Sequence, residues 1–171
     1  MNRTRQLVFA ALCTAIGIML PVAFHAIPNA GSILQPMHIP VLLCGFLCAW
    51  PYALLCGAAT PVLSCLLTNM PTFADLPAMT AELALYAVIP ALLRRCFPRA
   101  SSKPAGMYAI LIAGMLAGRL VSGILKAFLF RAGAYSLQMW LTASFVTGIP
   151  GILAQLVLVP ALVMALRRMK L

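Results

Sequence analysis

Acidic side chains are nearly missing from this chain. Two carboxylates, Asp75 and Glu82, stand among 171 residues, and only 8% of all residues are charged. A soluble domain carries about 25% charged and about 45–50% apolar residues, whereas 64% are hydrophobic here. So few charges cannot dress a globular surface for water, which excludes a soluble fold. The same scarcity leaves too few carboxylates for metal-dependent phosphotransfer. The two histidines, His25 and His38, give no metal-ligand spacing, and neither has an evident serine partner for nucleophilic catalysis. No G-x-x-x-x-G-K-[ST], H-E-x-x-H or G-x-S-x-G occurs. The expectation is a protein that is not an enzyme and needs no cofactor or metal. Six cysteines include no C-x-x-C pair, and five lie in apolar runs, where they behave as small apolar side chains.

What is present is a succession of apolar runs. A spanning helix uses about 20 residues, so six fit in this length and ten or twelve do not. The expected fold is an all-α integral membrane protein, a compact bundle of six transmembrane helices forming one domain over residues 1–171. Spans are expected at about Arg5–Ile27, Ile39–Ala49, Ala53–Leu67, Ala78–Leu93, Ala105–Phe130 and Met139–Leu166. The first run is too long for a signal-peptide core and reads as a retained helix. The second is short for a crossing, and Trp50-Pro51-Tyr52 after it reads as a tight turn. A bend is expected in the third span at Pro61, and in the sixth, which holds Pro150 and Pro160, a kink or a break at Gly148-Ile149-Pro150-Gly151.

The formal charge of +10 is arranged as a topology signal rather than a nucleic-acid footprint. Nine cations flank apolar runs: Arg3 and Arg5 before the first, Arg94, Arg95, Arg99 and Lys103 in one connection, and Arg167, Arg168 and Lys170 at the end. The positive-inside rule puts these, and both termini, in the cytoplasm beside anionic lipid. The loops around Gln35–His38, Asn69 and Arg131 then face outward.

Ionisable groups inside the membrane are costly and mark function. Glu82 lies in the fourth span, and Arg119 and Lys126 lie two turns apart on one side of the fifth. From Arg131, Lys126 is about 7 Å and Arg119 about 18 Å below the outer end, at about 1.5 Å per residue, and Glu82 sits near the depth of Lys126. Two pairings are open. Glu82 neutralises Lys126 and leaves Arg119 free to grip a carboxylate with two parallel hydrogen bonds; or Glu82 bridges Arg119 and Lys126 snorkels to the interface. His38, Gln35, Asn69, Tyr86 and Gln155 are further candidates to line a cavity. His25 reads as an interfacial or packed histidine. On the first span, Ala11 and Ala15 make a small-xxx-small face that admits another helix closely.

The run Gln35-Pro36-Met37-His38-Ile39-Pro40-Val41-Leu42-Leu43-Cys44-Gly45, with Gly57–Ser64, Leu67–Pro71 and Ala81–Tyr86, resembles substrate-binding S components of energy-coupling factor (ECF) vitamin transporters. It is most similar to the pantothenate- and folate-type branch. The resemblance implies a subunit that binds a small vitamin near the outer face of a bacterial cell membrane and docks on a membrane coupling protein served by two ATPases. It implies that Ala11 and Ala15 meet the coupling protein. It also implies a cavity overlapping Glu82, Tyr86, Arg119 and Lys126, with the loops of His38 and Asn69 as its lid. Where the family suggests a glycine in the second outer loop, this chain has Asn69. Pantothenate, small and with one carboxylate, is the expected vitamin; a neutral or cationic precursor would use Glu82 and the aromatic residues instead. Two other readings stay open: an assembly subunit without ligand, and a self-sufficient homodimeric transporter.

Overall fold

The computed structural model describes residues 2–24, 30–129 and 137–168. His25, Arg131 and Lys170, singled out from the sequence, lie outside the described residues. Every described element is helical. In chain order they are α1 (Arg3–Ala23), α2 (Ala30–Leu34), α3 (His38–Leu47), α4 (Trp50–Thr68), α5 (Leu76–Cys96), α6 (Pro98–Ser101), α7 (Pro104–Leu129), α8 (Leu137–Leu141), a π-helical turn (Thr142–Val146) and α9 (Ile149–Arg168).

Five stretches are long and apolar enough to cross a membrane: α1, α4, α5, α7 and Ser144–Arg168. In lipid the backbone must satisfy its own hydrogen bonds, so apolar runs of this length become helices. The chain is therefore a multi-pass membrane protein. The expected second span is only ten residues as α3, about 15 Å of helix against about 30 Å of hydrocarbon. Its shortness has a structural counterpart. Pro36, Met37 and His38 are buried, so the segment expected as an exposed loop folds into the bundle and α3 starts from within it.

One boundary differs from expectation for a local reason. Trp50-Pro51-Tyr52 is the first turn of α4 rather than a tight turn, because proline in that first turn loses no needed N–H; the reversal falls at Cys48-Ala49. The sixth run is interrupted at Thr147-Gly148, at the start of the stretch expected to kink or break, after the π-turn closed by the Thr147 N–H on Thr142 O at 2.8 Å. Pro61 and Pro160 lie inside α4 and α9, as do Pro21 in α1 and Pro90 in α5.

Helix α5 is the centre of the packing, flanked by α4, α7 and α3. Close approach there depends on Gly45 and Gly57, where a side chain would run into the α5 backbone at Ala87 and Leu83. One end of the bundle gathers the cationic segments. Gln6 on α1 accepts from Ala49 N–H at 2.7 Å, Arg94 at the end of α5 donates to Cys48 O at 2.8 Å, and Arg167 on α9 donates to Ser101 O at 2.9 Å. The two described chain ends thus lie together. All six cysteines are free, and five are buried, as expected for apolar filler.

Candidate functional site

At the opposite end, a cavity of about 330 Å³ opens between α5, α7, the end of α1 and the strap that runs to the buried Pro36–His38. Its polar walls are two helical stripes. Asp75, Met79 and Glu82 are spaced so that they share one side of α5, and Arg119, Ser122 and Lys126 likewise share one side of α7. Both carboxylates of the chain, Asp75 and Glu82, therefore face one cavity.

Arg119 is 3% exposed, and its hydrogen-bond partners among the described residues are all neutral. Nε donates to Tyr86 Oη at 3.0 Å, Nη2 to Gln35 Oε1 at 2.6 Å, and Nη1 to the Ser144 carbonyl in the π-turn. The Phe145 ring lies 5.8 Å away, within cation–π range. Among the described residues three of the five guanidinium N–H donors are engaged, which leaves one on each terminal nitrogen. The sequence offered Glu82 as a bridge to Arg119, but among the described residues the ion pairs run elsewhere. Lys126 Nζ sits 3.3 Å from Asp75 Oδ1, and Glu82 Oε1 faces His38 Nε2 at 3.7 Å. The expected neutralisation of Lys126 by Glu82 is replaced because Asp75, at the start of α5, lies nearer the cavity mouth, where the lysine stem ends.

Tyr86, one turn beyond Glu82, is fully buried behind Arg119 rather than on the cavity wall. It stacks edge-on against His38, with ring centroids 5.2 Å apart. It fits because α7 carries Gly118 beside it; a side chain there would collide with the Tyr86 ring. His38 lines the cavity, and neither ring nitrogen has a hydrogen-bond partner among the described residues.

Besides Tyr86, two sequence candidates lie away from the wall. Asn69 is exposed and caps α4 at φ 55°, a left-handed conformation that asparagine, like glycine, tolerates. That conformation explains how asparagine occupies a position where glycine was expected. Gln155 is fully buried on α9, with neither amide atom hydrogen-bonded among the described residues. Ala11 and Ala15 face outward from α1. Asp75, Ser122, Trp140 and Ser144 line the cavity without having been singled out as wall residues. For Ser144 no side-chain pattern could have served, since its backbone carbonyl makes the contact.

Among the described residues no group of His, Cys, Asp and Glu could hold a metal ion. What the arrangement offers is a small polar-walled cavity in an apolar bundle, with a buried cation that forms no ion pair among the described residues. Its volume lies at the small end of ligand pockets, about 300–1,000 Å³.

Comparison with curated proteins and with solved structures returned no match. A family model described as "ECF transporter, substrate-specific component" matches residues 5–163. This match covers nearly the whole chain, agrees with the helical membrane architecture, and identifies a transport component rather than an enzyme. The chain belongs to the family of ECF transporter substrate-specific components, subunits that bind a small-molecule substrate and work with the transporter's transmembrane and ATPase modules.

Proposed function

We propose that this subunit captures a small carboxylate-bearing vitamin or vitamin precursor, with pantothenate the first candidate, at the outer face of a bacterial plasma membrane. Arg119 carries the reading. A guanidinium buried in a membrane bundle without a carboxylate partner is costly, and its two free N–H groups suit an acid group from the solute. Lys126 is compensated by Asp75 at the mouth, which leaves Arg119 as the cation to meet an anion. The cationic segments gather at the end away from the cavity. By the positive-inside rule this supports a cytoplasmic location for both termini, an outward cavity, and six passes with α3 and its buried strap as the short one.

The outward face of α1 around Ala11 and Ala15 is the surface proposed to meet the membrane coupling protein, which two ATPase subunits serve. Small residues there let a partner helix approach by its backbone. The test of the substrate reading is equilibrium binding of pantothenate to the purified protein in nanodiscs. Arg119→Lys should weaken binding at least about tenfold, because an ammonium cannot reproduce the planar fork, while the variant elutes as a folded monodisperse species. Unchanged affinity in a folded Arg119→Lys protein would remove the basis of the reading.

A further inference from the structure

The second carboxylate facing the cavity is unlike the first. Asp75 is compensated by Lys126, and both are substantially exposed at the mouth. Glu82 is deeper, with its side chain 14% exposed, and no lysine or arginine lies within ion-pair distance among the described residues. Its nearest basic neighbour is His38, at 3.7 Å, beyond hydrogen-bond length. Both His38 ring nitrogens are buried and lack a hydrogen-bond partner among the described residues. A buried imidazole with two orphaned nitrogens beside a carboxylate is costly unless something in the cavity completes it.

A simple acid would satisfy Arg119 and leave Glu82 and His38 with only their mutual 3.7 Å approach and the His38 nitrogens without a hydrogen bond among the described residues. A simple cation or neutral donor would satisfy Glu82 and leave Arg119 unmet. Building on the proposed substrate role of this cavity, we infer that its solute is bifunctional, presenting an acid group to Arg119 and a hydrogen-bond donor, hydroxyl or ammonium, to Glu82 and His38. Glu82 then accepts from the donor group. His38 either accepts at one nitrogen from a second donor or donates from the other to an oxygen of the solute. Glu82 and His38 are the specificity-determining pair, since a site built for a hydrogen-bonding group rejects analogues that lack it.

The full-length protein in nanodiscs is titrated with three sets of vitamin-sized probes. The first holds carboxylic acids bearing hydroxyl or amino groups, pantothenate among them, with hydroxy acids and amino acids as separate arms. The second holds acids without such donors, such as nicotinate. The third holds donors without the acid, such as pantothenol. A member of the first set should bind at least about tenfold tighter than its counterparts in the other two. Glu82→Gln should lower that affinity about tenfold and leave residual binding of the second set unchanged, whereas Arg119→Lys lowers both. Should Glu82→Gln not fold, the ratio between first and second sets on the unaltered protein decides. Equal binding of those two sets, or an indifferent Glu82→Gln, overturns the bifunctional inference and leaves the acid-binding reading standing. Binding confined to the third set, or absent from all three, overturns both.

Discussion

Arg119 is a charge held in place by neutral groups. Its three engaged donors point at a phenol, an amide and a backbone carbonyl, so its orientation is set without cancelling its charge. Gln35 supplies the amide from a left-handed backbone at φ 47°, a conformation that costs a side-chain-bearing residue about 1 kcal/mol or more. The strained residue is one that aims the guanidinium, consistent with strain collecting at functional positions. Gln155 has a different balance. Its amide is buried with no hydrogen-bond partner among the described residues, and such a group costs about 1–3 kcal/mol. Gln155→Leu should therefore raise the thermal midpoint in detergent, read by intrinsic fluorescence; a fall would show that the amide has a stabilising partner in the folded protein.

At the scale of elements, the cavity exists because α3 is short and the strap before it turns inward, while α5 and α7 each present one polar stripe. Gly118 sets the distance between those two helices at the level of Tyr86. Gly118→Ala should push the Tyr86 ring aside and weaken pantothenate binding about tenfold or more with the helical content unchanged by circular dichroism; full affinity would show that Tyr86 does not hold Arg119. Helix α1 has a separate task, and its Ala11 and Ala15 stand away from the cavity. Ala11→Trp or Ala15→Trp should abolish concentrative uptake in vesicles that contain the coupling module while leaving binding intact. Undiminished uptake would exclude this face as the docking surface.

Part of each stripe was legible in the sequence. Glu82, Arg119 and Lys126 announce themselves because ionisable groups are rare in apolar runs, and helical spacing gives their depth. Depth is one coordinate. Which groups meet depends also on rotation about each helix axis and on the path of the connections, neither of which periodicity supplies. Hence Lys126 meets the loop-end Asp75 instead of Glu82, Glu82 meets His38 from a strap that reads as an exposed loop, and Arg119 meets a carbonyl that only a π-turn presents. Spans α1, α4, α5 and α7 were legible to within a few residues, because lipid imposes length and continuity on an apolar helix.

For the whole molecule, the division of charge is the organising feature: cationic segments at one end, and a cavity at the other whose deepest cation has no ion-pair partner among the described residues. A subunit of this design captures a solute and depends on separate modules for energy. The most direct test of the central claim, that Arg119 is kept uncompensated to hold an acid, is mass spectrometry of the small molecule retained by protein purified gently from its native membrane. A carboxylic acid should be released by the unaltered protein and be missing from Arg119→Lys purified alike. Retention of the same acid by both proteins, or recovery of only a neutral or cationic compound, would contradict it.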